Sequence, residues 1–166
     1  TVKQTVNLFN RDIEFAVNDY AIVESPGGPA AARVVAERTQ VSRGDLRGGL
    51  KPVVRKASAD DCSRMAEFRD QEPEAERVFA DKVATYGIPI QPVKAEYSFD
   101  GGTLTLHFSS GVTKLDFGEL AQDLAATFRT RVELRRVGPR ERARLRTGLG
   151  RCGRELCCAT FLTELD

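Results

Sequence analysis

Three of the chain's four cysteines, Cys152, Cys157 and Cys158, fall within seven residues in the spacing C-x4-C-C. Glycines at 148, 150 and 153 let the backbone wrap tightly there, because a residue without Cβ reaches positive φ at little steric cost. Arg151 and Arg154 stand beside the thiols, and positive charge favours thiolate over thiol. Thiolates gathered by a bent backbone are what a soft metal or an iron–sulfur cluster requires. The spacing differs from the C-x2-C pairs of zinc ribbons and from common ferredoxin runs, and three sulfurs are one fewer than a closed site takes. The pattern leaves three uses open: a metal or cluster ligand set, a redox switch in which Cys152 oxidises with Cys157 or Cys158, and reduced thiols packed under a helix.

The same end of the chain concentrates positive charge. Ten arginines and no lysine lie from Arg129 to Arg154, against five acidic residues from Arg129 to the end. With a total of +1, the preceding residues are four charges negative. A guanidinium suits bidentate contact with phosphate or carboxylate, so Arg131, Arg135, Arg140, Arg142, Arg144, Arg146, Arg151 and Arg154 are candidates for contact with nucleic acid or an acidic partner. The competing reading is a solvated face. Catalysis finds little support, with one histidine, no carboxylate pair in a recognisable motif, no nucleophile elbow and no phosphate-binding loop. A cysteine nucleophile would need a base, and His107 is the one imidazole. On strand alternation it falls on the exposed, polar side, and no role is assigned to it.

The elements that position these residues read as α+β. Val2, Val6 and Leu8, then Ile13, Phe15 and Val17, alternate as short strands. Tyr20–Val23 runs into the turn Ser25-Pro26-Gly27-Gly28-Pro29, and residues 30–35 return. This predicts a small antiparallel N-terminal β module, with residues 39–57 as a connection. Ser58 caps a helix with Asp61 as its box partner, and Gly87 closes that helix. Pro73 inside it predicts a kink or a second start, and Cys62 reads as a core thiol on the apolar side. A hairpin over 93–109 places Val93, Ala95, Tyr97 and Phe99 on one face, turning at Asp100-Gly101-Gly102. Asp116, with Glu119, caps a helix carrying the stripe Phe117, Leu120, Ala121, Leu124, Ala125 and Phe128. A strand over 131–137 and a short helix over 140–146 deliver the chain to the cysteines. The order helix–strand–strand–helix–strand predicts one sheet face buried under two helices. Two parts follow: residues 1–57, the β-rich module and connection, and 58–166, the α+β region with its Cys/Arg-rich end.

Several runs together carry a resemblance. Gly148-Leu149-Gly150-Arg151-Cys152-Gly153-Arg154-Glu155-Leu156-Cys157-Cys158 is similar to the signature of the RicT (YaaT) family of bacterial proteins, which carry the PSP C-terminal region. Leu50-Lys51-Pro52-Val53-Val54-Arg55-Lys56-Ala57, Tyr86-Gly87-Ile88-Pro89, Tyr97-Ser98-Phe99-Asp100-Gly101 and Phe128-Arg129-Thr130-Arg131-Val132-Glu133-Leu134-Arg135 resemble the family in the same order. The resemblance implies a non-enzymatic regulatory adaptor working with small helical RicA- and RicF-like partners. It implies a complex that carries [4Fe–4S] clusters and influences messenger-RNA maturation by RNase Y, and through it sporulation. Cys152, Cys157 and Cys158 then take the ligand role. The family also has a further cysteine beyond these, so the resemblance implies a fourth ligand from beyond Asp166, from a partner or from an exogenous thiol. Its eukaryotic members imply direct RNA binding as an alternative use of the arginines, and a thiol switch is the other. The absence of a membrane-length apolar run, a secretory signal or a disulfide framework makes the cytoplasm the expected location.

Overall fold

A computed structural model describes residues 8–9, 13–25, 28–36, 51–112, 115–146, 148, 152, 154 and 156. Along them run β1 (Leu8–Phe9), β2 (Tyr20–Ser25), β3 (Gly28–Arg33), β4 (Lys51–Lys56), α1 (Ala59–Tyr86), β5 (Gln91–Tyr97), β6 (Thr103–Ser109), α2 (Gly118–Phe128), β7 (Arg131–Arg136) and α3 (Pro139–Arg146). The fold is α+β. It divides into two compact units, with the boundary inside α1 between Glu67 and Phe68.

In the first unit the sheet order is β1-β4-β2-β3. β2 pairs antiparallel with β3 and β4, but β1 runs parallel to β4, so the sheet is mixed and not wholly antiparallel as expected. β4 occupies part of the predicted connection. Val53 is its one buried side chain among those described, and Pro52 beside it weakens the strand signal further. Ile13 and Phe15 do pack on Ala21, Val23 and Val53, yet residues 13–17 form no strand. Alternation reports one buried face, and an extended segment lying on a sheet satisfies that without a ladder. Val2, Val6, Pro26 and Gly27 lie outside the described residues.

The start of α1 is held as its sequence predicts. Asp61 N–H donates to Ser58 Oγ at 3.2 Å, and Ser58 N–H donates to Asp61 Oδ2 at 2.9 Å, a reciprocal cap. Asp61 is buried and also accepts from Arg55 and Arg64; the Arg55 guanidinium, then the cap, hold its carboxyl far below the usual carboxylate range. Because this carboxylate takes the inward position of the first turn, Cys62, rotated roughly 100° around the helix, is exposed and not a core thiol. α1 passes through Pro73 as one helix of 28 residues. Pro73 is exposed, so the carbonyl that loses its helical partner can turn to solvent. Gly87 (φ +61) closes the helix, with Ile88 N–H reaching the Val83 carbonyl at 3.4 Å.

In the second unit β5 and β6 pair antiparallel, and β6 pairs with β7 in parallel, a connection that needs the crossover α2 supplies. Ala75, Phe79 and Val83 of α1, Ala95, Leu104, Leu106 and Phe108 of the sheet, and Leu120 and Leu124 of α2 form one core. The predicted cap at Asp116 is replaced. Phe117 holds the N-cap position without a side-chain bond, and Asp116 Oδ1 instead accepts Gly118 N–H at 2.9 Å, a turn just before the helix. The hairpin register shifts between Pro92 and Lys94. This irregularity takes Val93 away from Ala95, the face predicted for it, and into a separate cluster with Val137 and Leu145.

Candidate functional site

The Val93–Val137–Leu145 cluster lies where α3 packs against β5, on the side of the sheet opposite the main core. His107 is on that side and is 0% exposed, which corrects the solvated histidine predicted from strand alternation. Its ladder neighbours are Lys94 and Arg135, and Arg135 is tied to Glu141 of α3 at 3.0 Å. Alternation foretells a second face, but only the return of α3 decides that this face is covered. His107 Nε2 lies 3.2 Å from Glu96 Oε2, while Nδ1 has no hydrogen-bond partner. Burial, with the Arg135 charge adding to it, pushes the imidazole down to about 4.

This shift sets a pH dependence. The folded value lies below the ordinary value of 6.5, so the unfolded chain binds the proton more readily. The stabilising contribution is complete above the unfolded value and is lost as pH falls towards about 4. Stability is expected to drop by about 2 kcal/mol between pH 7 and pH 5 from this residue. Urea melts of wild type and His107→Gln at both values check it. A pH dependence left unchanged by the substitution would remove the assignment.

The predicted arginines are not equivalent. Arg131 pairs with Glu133 at 3.2 Å and Arg135 with Glu141, so part of their charge is spent within the chain. Arg140 and Arg154 are exposed, and Arg144 is half-buried. Arg151, Cys157 and Cys158 lie outside the described residues. Arg142 Nη1 donates to Gln91 Oε1 at 2.9 Å and lies 3.5 Å from Ser109 Oγ. Arg146 Nη2 donates to the Pro92 carbonyl at 2.9 Å. Arg136, not among the candidates, donates to the Ser110 carbonyl at 2.8 Å.

Arg142 and Arg146 thereby line two adjoining open grooves of about 730 and 540 Å³ beside the start of β5. One passes by Ser109, Ser110 and Pro139; the other lies towards Pro73, Arg77 and Ala80 of α1. Gln91 and Ser109, which aim Arg142, were not legible as site residues, since neutral polar residues at strand ends carry no signal of their own. Ile90 lies in both linings.

Cys152 is an exposed free thiol. In sequence it lies between Gly148 and Leu156, whose N–H donates to the Gly148 carbonyl at 3.1 Å. An exposed thiol is by its chemistry a soft donor, the kind that thiolate-bound metals and clusters take. Among the described residues, no group of three His, Cys, Asp or Glu side chains converges as a metal site.

Residues 51–137, from β4 to the end of the second sheet, match the PSP1 C-terminal conserved region. The chain is 35% identical over 145 residues to the stage 0 sporulation protein YaaT of Bacillus subtilis, an alignment covering 87% of this chain and 52% of that protein. It is also 23% identical over 150 residues to an uncharacterized protein of Schizosaccharomyces pombe, covering 74% of this chain and 20% of the other. The chain thus spans about half the length of the Bacillus protein. No solved structure matches it significantly.

Proposed function

This chain belongs to the family of the PSP1 C-terminal conserved region, and from that premise we propose that it is a regulatory adaptor of messenger-RNA processing and not an enzyme. The observation that carries the reading is its similarity along most of its length to a protein named for sporulation. The burial of His107 supports the non-enzymatic part, since the chain's one imidazole is withdrawn from solvent. In this reading the protein acts in the cytoplasm with small RicA- and RicF-like helical partners and modulates RNase Y. No described helix is long and apolar enough to cross a membrane.

Cys152, Cys157 and Cys158 would hold a [4Fe–4S] cluster within that assembly, with a fourth ligand from elsewhere. When bound, such a cluster supplies electron transfer or oxidant sensing. The chain's own contribution is Cys152 at the surface, between residues 148 and 156 that a backbone hydrogen bond ties together.

Expression in a Bacillus subtilis strain lacking YaaT tests the reading. Sporulation is expected to recover, and transcript ends made by RNase Y are expected to return to the parental pattern. Protein that accumulates normally yet restores neither overturns the proposal. Anaerobic co-purification with the partners, followed by iron and sulfide assay, tests the cluster. Cys152→Ser is expected to lose both elements. A colourless wild-type complex whose thiol count falls on mild oxidation would replace the cluster with a thiol switch.

A further inference from the structure

The paired grooves beside β5 are open, but their strand edge is closed to an added strand. Pro92 has no N–H and its carbonyl accepts from Arg146, and the Ala95 N–H donates to Glu76 Oε1 at 3.2 Å. Charged side chains thus block an edge that would otherwise offer ladder hydrogen bonds, so an occupant must be held by side chains. The base of the grooves is apolar, with Ile90, Val93 and Val137 buried beneath. Above it stands Arg142, half-buried and aimed by the neutral oxygens of Gln91 and Ser109, with no carboxylate partner among the described residues. Its guanidinium has five N–H donors, of which those contacts occupy only part. Arg136, on the Ser110 carbonyl, adds a second cation at the Ser109–Ser110 end.

A fixed cation over an apolar base selects a ligand carrying both carboxylates and apolar groups. Single-stranded nucleic acid needs flat side chains for its bases, and among the described residues no lining residue of either groove is aromatic. We infer that the groove between α1 and α3 docks an acidic, apolar-bearing segment of a protein partner, with one of its carboxylates taken by Arg142. The inference rests on the adaptor reading and names the chemistry of the surface that reading requires.

Fluorescence anisotropy on the full chain tests it with a labelled peptide repeating glutamate, leucine and aspartate. Its glutamine–leucine–asparagine counterpart and a single-stranded RNA of similar length serve as comparators. The acidic peptide is expected to bind and the uncharged one not. Arg142→Glu is expected to weaken binding about tenfold or more, and Arg142→Gln to act in the same direction by about threefold or more. Arg131→Glu, at a residue already paired with Glu133, is expected to leave it within about twofold. The milder Arg142→Gln keeps the test decisive where charge reversal prevents folding. Absence of peptide binding, equal binding by the Arg142 variants, or binding of RNA alone would each overturn the inference. Sporulation restored by the unaltered chain would leave the adaptor reading standing in every one of those cases.

Discussion

Phe79→Ala is expected to lower the unfolding free energy of the unit that begins at Phe68 by about 3–5 kcal/mol. Phe79 has no exposed surface and sits between Ala75 and Val83 on the stripe by which α1 meets Leu104, Leu106, Leu120 and Leu124. Truncation removes the ring's transfer free energy and leaves a cavity that two helices and a sheet cannot fully close. A domain of this kind has only about 5–15 kcal/mol in total, so the variant should melt far below the parent. Urea denaturation followed by circular dichroism gives the difference. Arg77→Ala, exposed one turn-half away on the same helix, should change stability by no more than about 0.5 kcal/mol. A Phe79→Ala effect as small as that would refute the assignment of this core.

Gly101→Ala is expected to cost about 2–5 kcal/mol, from two sources. Gly101 adopts φ +72 in the β5–β6 turn, where a side chain costs about 1–2 kcal/mol. An added Cβ would also run into Phe68 Cζ, and Phe68 is held by stacking on Tyr97 with centroids 5.5 Å apart. Displacing that ring adds about 1–3 kcal/mol of overpacking. The two sources separate in a double-mutant cycle. Phe68→Ala should recover the steric part in the Gly101→Ala background and leave the backbone part. Full additivity of the two substitutions would mean that the ring does not obstruct the turn.

The sheet and helices of the second unit were largely legible because their signals are local. There the α2 stripe depends on the helical period and the β5–β6 hairpin on alternation around Asp100-Gly101-Gly102, just as the Ser58–Asp61 cap of the first unit depends on residues three apart. The errors came where a partner is distant. Among its described side chains β4 buries only Val53, and it becomes a strand because β1 and β2 lie on either side of it. Cys62 looked apolar by period, yet Asp61 takes the inward position because Arg55 and Arg64 compensate its charge.

The candidate site divides in the same way. The residue types were already decided in the chain itself: thiols at C-x4-C-C spacing among glycines, a run of arginines without lysine, and the motif order that identifies the family. Tertiary structure alone decided which of these two arginines meets a carboxylate, since Glu141 neutralises Arg135 across a strand–helix connection while Gln91, 51 residues away, merely orients Arg142. It also decided that His107 is shut from water, because a register shift in β5 and the return of α3 turn an outward strand face into an interior one. Composition and short-range period specify what each segment can do. Burial and charge compensation depend on contacts between segments far apart in the chain, and only the folded arrangement supplies those.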